Sequence, residues 1–274
     1  MLWVNRQLDG KVTATDRGLA YGDGVFATMR YTQAGPLLFE LHLARLQQSC
    51  QRLGIDWQAD DQFRTFLNTI CRDAFQQNGL DGCVKVLLSR GSGGRGYQAP
   101  AVANITEVVS LHAIPLHYAD WQAQGINLGL SNIALARQPR LAGMKHLNRL
   151  EQVLIREQTL AANCDDVVVC DSEGWVIETA VANLFMAKAG RVYTPRLAFA
   201  GVAGVMRQQL LIELAQLGWS VSICDINLAM LMQADNVFMT NSLFGIVDIN
   251  SVNQQVFVHA PFTQTLRSAL NLSL

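Results

Sequence analysis

The feature of the chain that most constrains its fold is a series of four short apolar segments in the second half. The segments read DVVVC, GWVIET, ANLFMAK and RVYTP, and the turn-forming sequences DSEG and AG each separate two of them. Short apolar runs bounded by turn signals are typical of buried β-strands. Strands joined by such short turns pair as antiparallel neighbours, because a parallel pair needs a much longer crossover. The sequence therefore predicts an antiparallel meander in this region.

The segments around the meander predict a chain of mixed α and β structure in two domains. Apolar residues at helical spacing predict one helix over ELHLARLQQSCQRLGI, ending at Gly54, and another over DQFRTFLNTICRDAFQQNG. Strand-like runs surround these helices, so an N-terminal α+β domain is predicted over 1–115. A linker is predicted over 116–124, and a C-terminal, sheet-rich α/β domain over 125–274. The helices of that second domain are predicted over 148–164 and 204–219.

The composition is that of a globular protein and excludes several classes of partner. Half of the 274 residues are hydrophobic and 16% are charged, which suits a large buried core. The formal net charge of −1 provides no broad basic surface for nucleic acid or anionic lipid. No apolar run reaches the roughly 18 residues of a membrane span, and MLWVNRQLDG lacks the apolar core of a signal peptide. A cytoplasmic protein is therefore expected.

The six cysteines are expected to be free thiols. None belongs to a CxxC motif, and the two in CDDVVVC are too far apart in the chain for a zinc knuckle. Several lie at apolar positions of helices and strands, where a reduced thiol packs as a small hydrophobic group. No metal site is predicted.

A glycine-rich loop, RGSGGRGY, contains a literal GxGxxG motif that starts at Gly91. A dinucleotide site would need a helix next, with its N-terminus aimed at the pyrophosphate. A proline and another strand-like run follow instead, so a dinucleotide site is not predicted. We expect a mobile loop carrying Arg90, Arg95 and Tyr97. Two guanidinium groups suit a carboxylated ligand, and plain surface charge is the alternative.

Lys145 lies at an unusual place, between an apolar approach and a predicted helix. Asn148 and Glu151 form an N-x-x-E pattern that predicts a capping box for that helix. The positive end of the helix dipole and the apolar neighbours disfavour a protonated ammonium. An unprotonated lysine is a nucleophile that can form a Schiff base with a carbonyl. The alternative is a lysine whose ammonium reaches water along the apolar surface.

Two further features point to pyridoxal phosphate. Glu178 ends GWVIET within the apolar meander, where a carboxylate is costly unless it is paired. The pyridoxal phosphate ring needs such a carboxylate beside its nitrogen, because the protonated ring is the electron sink. Gly201 and Gly204 precede a predicted helix, whose backbone N–H groups could bind phosphate. Each feature also has a simpler interpretation, as an exposed acid and as an ordinary turn.

Taken in order, these motifs resemble those of the fold type IV pyridoxal-phosphate enzymes. That family comprises branched-chain and D-amino-acid aminotransferases and 4-amino-4-deoxychorismate lyases. The resemblance spans nearly the whole chain and rests on six segments: DRGLAYGDGVF, HLARL, KHLN, VIETAVANLF, GVMR and TNSL. It implies the family's two-domain fold, pyridoxal 5′-phosphate as cofactor, and a homodimer.

The resemblance also implies a role for particular residues. Lys145 would form the Schiff base, and Glu178 would bind the ring nitrogen. Asn183 would be a structural asparagine. The phosphate ligands would be the Arg45 side chain, the backbone N–H groups of Val205 and Met206, and the Ser242 hydroxyl. GVMR stands where the family often has GITR, so Met206 lacks the hydroxyl that a threonine would offer.

Within the family, SRGSGGRGY, LAGMKHLNRLEQVLIR and DSEGWVIE are most similar to the lyases. The implied reaction converts aminodeoxychorismate, a dicarboxylate, to 4-aminobenzoate and pyruvate for folate biosynthesis, with Lys145 moving the protons. Phe26 stands where D-aminotransferases carry a tyrosine that helps to bind the substrate carboxylate. The candidates for the substrate carboxylates are Arg95 and Tyr97 for one, and Arg30 or Arg90 for the other.

Two other functions are retained as alternatives. A D-amino-acid or branched-chain aminotransferase would share every cofactor residue. A protein without pyridoxal phosphate, such as a dinucleotide-dependent oxidoreductase or a ligand-binding protein, is the second. A Schiff-base enzyme purifies yellow and a dinucleotide enzyme does not, so colour separates these classes.

Overall fold

The computed structural model describes residues 1–158 and 163–274, which fall into two compact units. The first unit comprises 1–114 and 144–148, and the second comprises 115–143 and 149–274. The segment that carries Lys145 therefore belongs with the N-terminal part of the chain. The two consecutive domains predicted from the sequence do not place residues 144–148 with the N-terminal unit.

The first unit consists of an antiparallel six-stranded sheet and three helices. The strand order is β2-β1-β6-β5-β3-β4. The strands are β1 (Leu2–Val4), β2 (Gln7–Leu8), β3 (Gly24–Thr32), β4 (Gly35–Pro36), β5 (Gly82–Ser89) and β6 (Thr106–Ala113). The helices are α1 (Arg17–Tyr21), α2 (Phe39–Leu53) and α3 (Asp61–Asn78).

Alternation along β3 divides the sheet of the first unit into a core face and a more exposed face. Val25, Ala27 and Met29 are buried in the core, while Phe26 and Thr28 between them are half-buried. The apolar faces of α2 and α3 complete that core. The two helices predicted in this region are confirmed, including the end of α2 at Gly54, which has a φ of 67°.

The second unit is built on a nine-stranded sheet with the order β12-β11-β10-β13-β14-β7-β8-β9 and β15 beside β14. β9 also pairs with β10, so the sheet closes on itself. Its strands are β7 (Ile126–Leu130), β8 (Asp166–Cys170), β9 (Val176–Thr179), β10 (Asn183–Lys188), β11 (Arg191–Pro195), β12 (Ser220–Cys224), β13 (Asn236–Asn241), β14 (Gly245–Val252) and β15 (Gln255–Val256). Its helices are α4 (His117–Gln124), α5 (Leu150–Glu157), α6 (Val205–Gln216), α7 (Leu228–Met232) and α8 (Thr263–Ala269).

The predicted meander is confirmed as β8 to β11, which pair antiparallel in succession. A helix over most of 204–219 is confirmed as α6. The predicted linker was wrong, because 117–124 forms helix α4. The rings of Tyr118 and Trp121 on that helix pack against Phe244, and this burial stabilises a helix that the polar composition did not suggest.

The predicted capping box was also wrong. α5 begins at Leu150 and has no side-chain cap. The Asn148 amide instead donates to the carbonyl of Gly22, and the Glu151 carboxylate accepts from the N–H of Ala136. These long-range partners compete with the local capping geometry. The predicted helix extended through 159–162, which lie outside the described residues.

All six cysteines are free, and three of them are buried in the first unit. Burial raises the pKa of the Cys50 thiol to about 12, so it stays protonated near neutral pH. Among the described residues, no helix is long and apolar enough to cross a membrane, and no cluster of three or more His, Cys, Asp or Glu side chains could hold a metal ion.

Candidate active site

Lys145 lies beside the half-exposed face of the sheet in the first unit. The segment around it pairs with β3: the N–H of Phe26 donates to the carbonyl of Lys145 at 2.8 Å, and the N–H of Leu147 to that of Gly24 at 3.0 Å. The Lys145 Nζ is 4.6 Å from the centroid of the Phe26 ring. Backbone pairing with a strand thus fixes the position of this lysine.

A second lysine, which the sequence analysis did not single out, shares the Phe26 ring. The Nζ of Lys85 is 5.2 Å from the ring centroid. Lys85 lies opposite Thr28 in the β3–β5 ladder, so both project from the same face as Phe26. Ammonium groups are attracted to an aromatic face, and Phe26 therefore holds two cations rather than a purely apolar surface. Alternation in GCVKVLLS places the Lys85 side chain on the other face of the sheet from the buried Val84 and Val86. This signal in the sequence could have identified Lys85.

His42 and Arg45 lie three residues apart on α2 and so share one side of that helix. The His42 side chain is 1% exposed, and neither ring nitrogen has a hydrogen-bond partner among the described residues. Burial, together with the positive charges of Arg45 and Lys145, lowers the pKa of His42 well below its usual value. His42 is therefore a buried, neutral imidazole within electrostatic range of two cationic side chains, and no sequence pattern singled it out.

Two of the predicted substrate arginines are buried and form ion pairs with partly exposed carboxylates. Arg30 is 5% exposed and its Nη2 lies 2.6 Å from the carboxylate of Asp81. Arg90 is 8% exposed and its Nε lies 2.7 Å from that of Asp23. Breaking either ion pair would leave a buried guanidinium without its carboxylate partner, at a cost of several kcal/mol, roughly 3–5. Both arginines are thus already engaged in ion pairs, and their role as substrate ligands stays a prediction.

Arg95 and Tyr97 are exposed at the glycine-rich loop between β5 and β6. Tyr97 is 89% exposed, and its ring meets the Tyr21 ring edge to face at 5.5 Å. No helix follows the GxGxxG motif, as expected. Among the predicted substrate residues, these two side chains remain accessible to a ligand.

Glu178 in the second unit is a buried carboxylate with defined partners. It lies near the end of β9 and is 7% exposed. Its Oε2 accepts a hydrogen bond from the N–H of Val202 at 2.9 Å and from the Asn183 amide at 3.5 Å. The same amide donates to the carbonyl of Val202 at 2.8 Å. The paired carboxylate expected from the sequence is thus present, and Asn183 links it to the loop before α6.

That loop approaches Asn183 so closely that it requires glycine. The Asn183 Oδ1 accepts from the N–H of Gly204 at 3.1 Å, and a Cβ on Gly204 would lie 2.2 Å from the same oxygen. Gly201 has a φ of +82°, and a Cβ there would lie 2.5 Å from Ile177. Gly201 therefore lets the loop approach β9, which carries Glu178, and Gly204 lets it approach Asn183 at the start of β10.

The N-terminus of α6 offers donors for an anion. Gly204 is its N-cap, and no side chain caps the helix. Free N–H groups at a helix N-terminus carry partial positive charge and bind phosphate. Arg207 anchors the helix to β11, with Nε 3.2 Å from the Thr194 Oγ1 and Nη2 3.0 Å from the Pro195 carbonyl. Val205 and Met206 are the first two residues of this helix.

Ser242 lies in the turn between β13 and β14, and its side chain is half-buried. Its hydroxyl makes no hydrogen bond to any residue that the structure describes. Asn241 shapes the turn, because its Oδ1 accepts from the N–H groups of Leu243 and Phe244 at 2.9 and 3.0 Å. The hydroxyl is thus free to serve a ligand.

Arg149 is a further charged residue of the second unit that the sequence analysis missed. Burial lowers the pKa of its guanidinium, and the carboxylates of Glu178 and Glu151 oppose that change. A cation therefore lies within electrostatic range of Glu178. It directly follows the KHLN segment, so its position in the chain was a usable signal.

Comparison with known proteins shows similarity along the whole chain. The family described as "Amino-transferase class IV" matches residues 24–252. An aminodeoxychorismate lyase of Vibrio harveyi is 37% identical, covering 99% of this chain and 100% of the relative. A D-alanine aminotransferase of Bacillus licheniformis is 25% identical, covering 96% and 92%. The crystal structure of 4-amino-4-deoxychorismate lyase from Pseudomonas aeruginosa has a TM-score of 0.93 at 36% identity and covers 100% of both chains.

Proposed function

The chain belongs to the amino-transferase class IV family, and from this membership we propose that it is a pyridoxal-phosphate-dependent lyase. The reaction converts 4-amino-4-deoxychorismate to 4-aminobenzoate and pyruvate, a step of folate biosynthesis. The observation that carries the proposal is the full-length identity of 37% to an aminodeoxychorismate lyase, against 25% to a D-alanine aminotransferase. The TM-score of 0.93 to a lyase confirms the expected fold type IV architecture.

The residues present fit the cofactor. The second unit offers a buried, paired carboxylate in Glu178 for a protonated ring nitrogen. It also offers the N-terminus of α6, at Val205 and Met206, which no side chain caps, and the Ser242 hydroxyl, which bonds to no described residue, for the phosphate. The first unit offers the Lys145 amine for covalent attachment to the aldehyde, and the Arg45 guanidinium as a further phosphate ligand.

Each residue then has a distinct task. When bound, pyridoxal phosphate supplies an electron sink for a bond broken next to the substrate amine. Lys145 would hold the cofactor through its amine, and the same amine would accept the proton from C4 of the substrate. Glu178 keeps the ring nitrogen protonated, because its own negative charge favours that proton.

The reaction is an elimination whose atoms balance without a co-reactant. The C4 proton leaves to Lys145, the C3–O bond to the enolpyruvyl group breaks, and the six-membered ring becomes aromatic. Lys145 returns the proton to the methylene carbon of enolpyruvate, which gives pyruvate. One lysine thus serves as anchor, base and acid, as general acid–base catalysis allows when one group faces both carbons.

The setting of Phe26 supports a lyase over a D-amino-acid aminotransferase. A phenylalanine cannot donate a hydrogen bond to a substrate carboxylate, as the tyrosine expected at that position in D-aminotransferases would. The proposed ligands for one of the two substrate carboxylates are instead Arg95 and Tyr97. Aromatisation of the six-membered substrate ring favours elimination over amino transfer.

A side-by-side assay on one preparation tests the function. The purified, yellow protein is given aminodeoxychorismate, and 4-aminobenzoate and pyruvate are measured. The same protein is given D-alanine or L-leucine with 2-oxoglutarate, and only trace amino transfer is expected. Robust amino transfer without 4-aminobenzoate would overturn the lyase assignment and support the aminotransferase alternative.

We predict that Arg45→Ala weakens cofactor binding more than it slows turnover at saturating cofactor. Loss of a charge-assisted hydrogen bond costs about 1.5–3 kcal/mol, which is roughly a 10- to 100-fold higher Kd. The measurement is a titration of the cofactor-free protein with pyridoxal phosphate, followed by absorbance. Gln48→Ala is the matched control, since Gln48 is exposed on the same helix. Unchanged affinity in Arg45→Ala would exclude Arg45 as a phosphate ligand.

We predict that Arg95→Ala raises the KM for aminodeoxychorismate and leaves the absorbance of the bound cofactor unchanged. The substrate loses one charged hydrogen bond, so the rise in KM is on the order of 10-fold or more. Arg191→Ala serves as control, because Arg191 is exposed on β11. An unchanged KM in Arg95→Ala would remove Arg95 from the substrate site.

A cytoplasmic homodimer completes the proposal: the family resemblance implies the homodimer, and the composition of the chain leads us to expect the cytoplasm. Light scattering on the eluate of a sizing column should give a mass of about twice the 30.2 kDa of one chain. A mass of one chain at working concentrations would contradict the dimer.

A further inference from the structure

The glycine-rich loop after β5 has an irregular backbone, whose carbonyls need hydrogen-bond donors from outside the loop. Among its glycines, Gly91, Gly93, Gly94 and Gly96 all have positive φ values, between 56° and 124°. Carbonyls in such a segment cannot pair within a helix or a ladder and must find other donors or water. The sequence analysis accordingly predicted a mobile loop.

The side chain of Arg17 is hydrogen-bonded to backbone carbonyls of this loop. Arg17 is 4% exposed, and it precedes the loop by more than 70 residues. Its guanidinium lies within hydrogen-bond distance of four loop carbonyls: those of Gly93 at 3.4 Å, Gly96 at 3.1 Å, Tyr97 at 3.0 Å and Gln98 at 3.2 Å. The backbone N–H of Arg17 also donates to the carbonyl of Gly91 at 2.9 Å. One residue thus contacts the loop along its whole length.

Asp23 holds the Arg17 guanidinium in place. Its Oδ2 accepts from the Arg17 Nε at 2.9 Å and from the Arg90 Nε at 2.7 Å. Burial opposes ionisation of Asp23, but the hydrogen bonds from Arg90 and Arg17 outweigh it and lower the pKa of the carboxyl group. The carboxylate is therefore charged near neutral pH and joins Arg17 to the arginine at the start of the loop.

The two ends of the loop are also linked to each other by hydrogen bonds. The Asp16 carboxylate accepts from the Ser89 hydroxyl at 2.6 Å and from the Thr106 hydroxyl at 2.7 Å. Ser89 ends β5 and Thr106 begins β6, so one carboxylate bridges the two strands that the loop connects. The loop is consequently held at its base by Asp16 and along its length by Arg17.

We propose that Arg17 is the positioning residue for substrate recognition by this loop. Within the loop, Arg17 bonds to backbone carbonyls and to no side chain, so the side chains of Arg95 and Tyr97 remain exposed while the backbone is held. The ring of Tyr21 extends the contact, since the Arg17 Cζ lies 4.9 Å from its centroid and the Tyr97 ring meets it at 5.5 Å. The substrate then meets a preformed pair of ligands and need not order them on binding. This inference rests on the proposed function, because it assigns the loop to the carboxylated substrate.

The test compares Arg17→Lys with the unmodified holoenzyme. Lysine keeps the charge beside Asp23 but lacks the five donors of the planar guanidinium, so it cannot hold four carbonyls. Trypsin cleaves the Arg95–Gly96 bond only when the loop opens, since a held backbone does not fit a protease. We expect cleavage there to become about 10-fold to 100-fold faster, the size expected for losing charged hydrogen bonds. Arg64→Lys is the control, because the Arg64 side chain bonds to Glu40 and Ala59 and to no residue of the loop.

Kinetics separate positioning from a general structural role. In Arg17→Lys, the KM for aminodeoxychorismate should rise about 10-fold, while kcat and the cofactor absorbance stay unchanged. Equal cleavage at Arg95 in Arg17→Lys and the unmodified protein would overturn the inference, and so would an equal fall in kcat and cofactor content. Failure of the proposed function is distinct, since it shows as absent 4-aminobenzoate in the unmodified enzyme while the cleavage rates still report on Arg17.

If Arg17→Lys does not fold, a second measurement on the unmodified holoenzyme still tests the inference. Cleavage of the Arg95–Gly96 bond in the unmodified holoenzyme is compared with that in a free peptide of residues 89–104, which serves as the reference for an unheld loop. We expect the holoenzyme to be cut at least about 10-fold more slowly. Equal rates would show that Arg17 does not hold the loop.

Discussion

Lys145→Ala is expected to abolish formation of 4-aminobenzoate, with a fall in kcat of about 10⁴-fold or more. The size reflects the loss of covalent attachment and of proton transfer, which one side chain supplies. The segment itself should keep its position, because its pairing with β3 runs through the backbone of Lys145 and not its side chain. The loss is therefore chemical, and an unchanged melting temperature would support that.

Borohydride trapping identifies the reacting lysine directly. The chain has four lysines, Lys11, Lys85, Lys145 and Lys188, so peptide mapping after reduction assigns the pyridoxyl group to one of them. We expect it on Lys145 in the unmodified protein and on no lysine in Lys145→Ala. Lys11→Ala is the control, since Lys11 is exposed. A label on Lys85, which shares the Phe26 ring, would reject the assignment of Lys145.

Glu178→Gln is expected to retain the cofactor and lose most turnover. The amide oxygen of glutamine can still accept from the N–H of Val202, so the local fold should survive. A neutral amide cannot keep the ring nitrogen protonated, and the electron sink is weakened. Contributions of this kind to proton transfer and charge stabilisation typically change kcat by roughly 10²–10⁴-fold.

The measurement is kcat at saturating substrate, with bound cofactor quantified on the same sample. Glu157→Gln is the matched control, because Glu157 is exposed on α5. Near-normal turnover in Glu178→Gln with full cofactor content would show that Glu178 is not the ring-nitrogen partner. Loss of cofactor without loss of rate per bound cofactor would make its role one of binding alone.

Local sequence patterns were sufficient to predict the helices and strands whose formation depends on residues close together in the chain. The helices α2 and α6 and the meander of β8 to β11 follow from apolar spacing and turn residues, which act within a few positions. The GxGxxG motif could be rejected as a dinucleotide site because the proline and strand that follow it are also local. Glu178 could be expected to be paired, since a carboxylate in an apolar strand needs a partner.

The roles of the charged residues depended on partners far away in the chain. Arg90 and Asp23 are 67 positions apart, and Arg30 and Asp81 are 51 apart. No pattern in the sequence distinguishes these buried arginines from the exposed Arg95, because all three lie on or next to strands or loops of similar composition. Only the register of β3 against β5 decides which guanidinium meets a carboxylate.

The sequence by itself determined the strands of the meander, the main helices and the motifs that place this chain among the fold type IV enzymes. Those properties depend on side chains that are neighbours along the chain. The tertiary structure alone decided that Lys145 pairs with β3, that Lys85 shares the Phe26 ring, and that Arg17 holds the glycine-rich loop. Each of these contacts joins segments at least 59 positions apart, and their geometry exists only after the sheet of the first unit has formed.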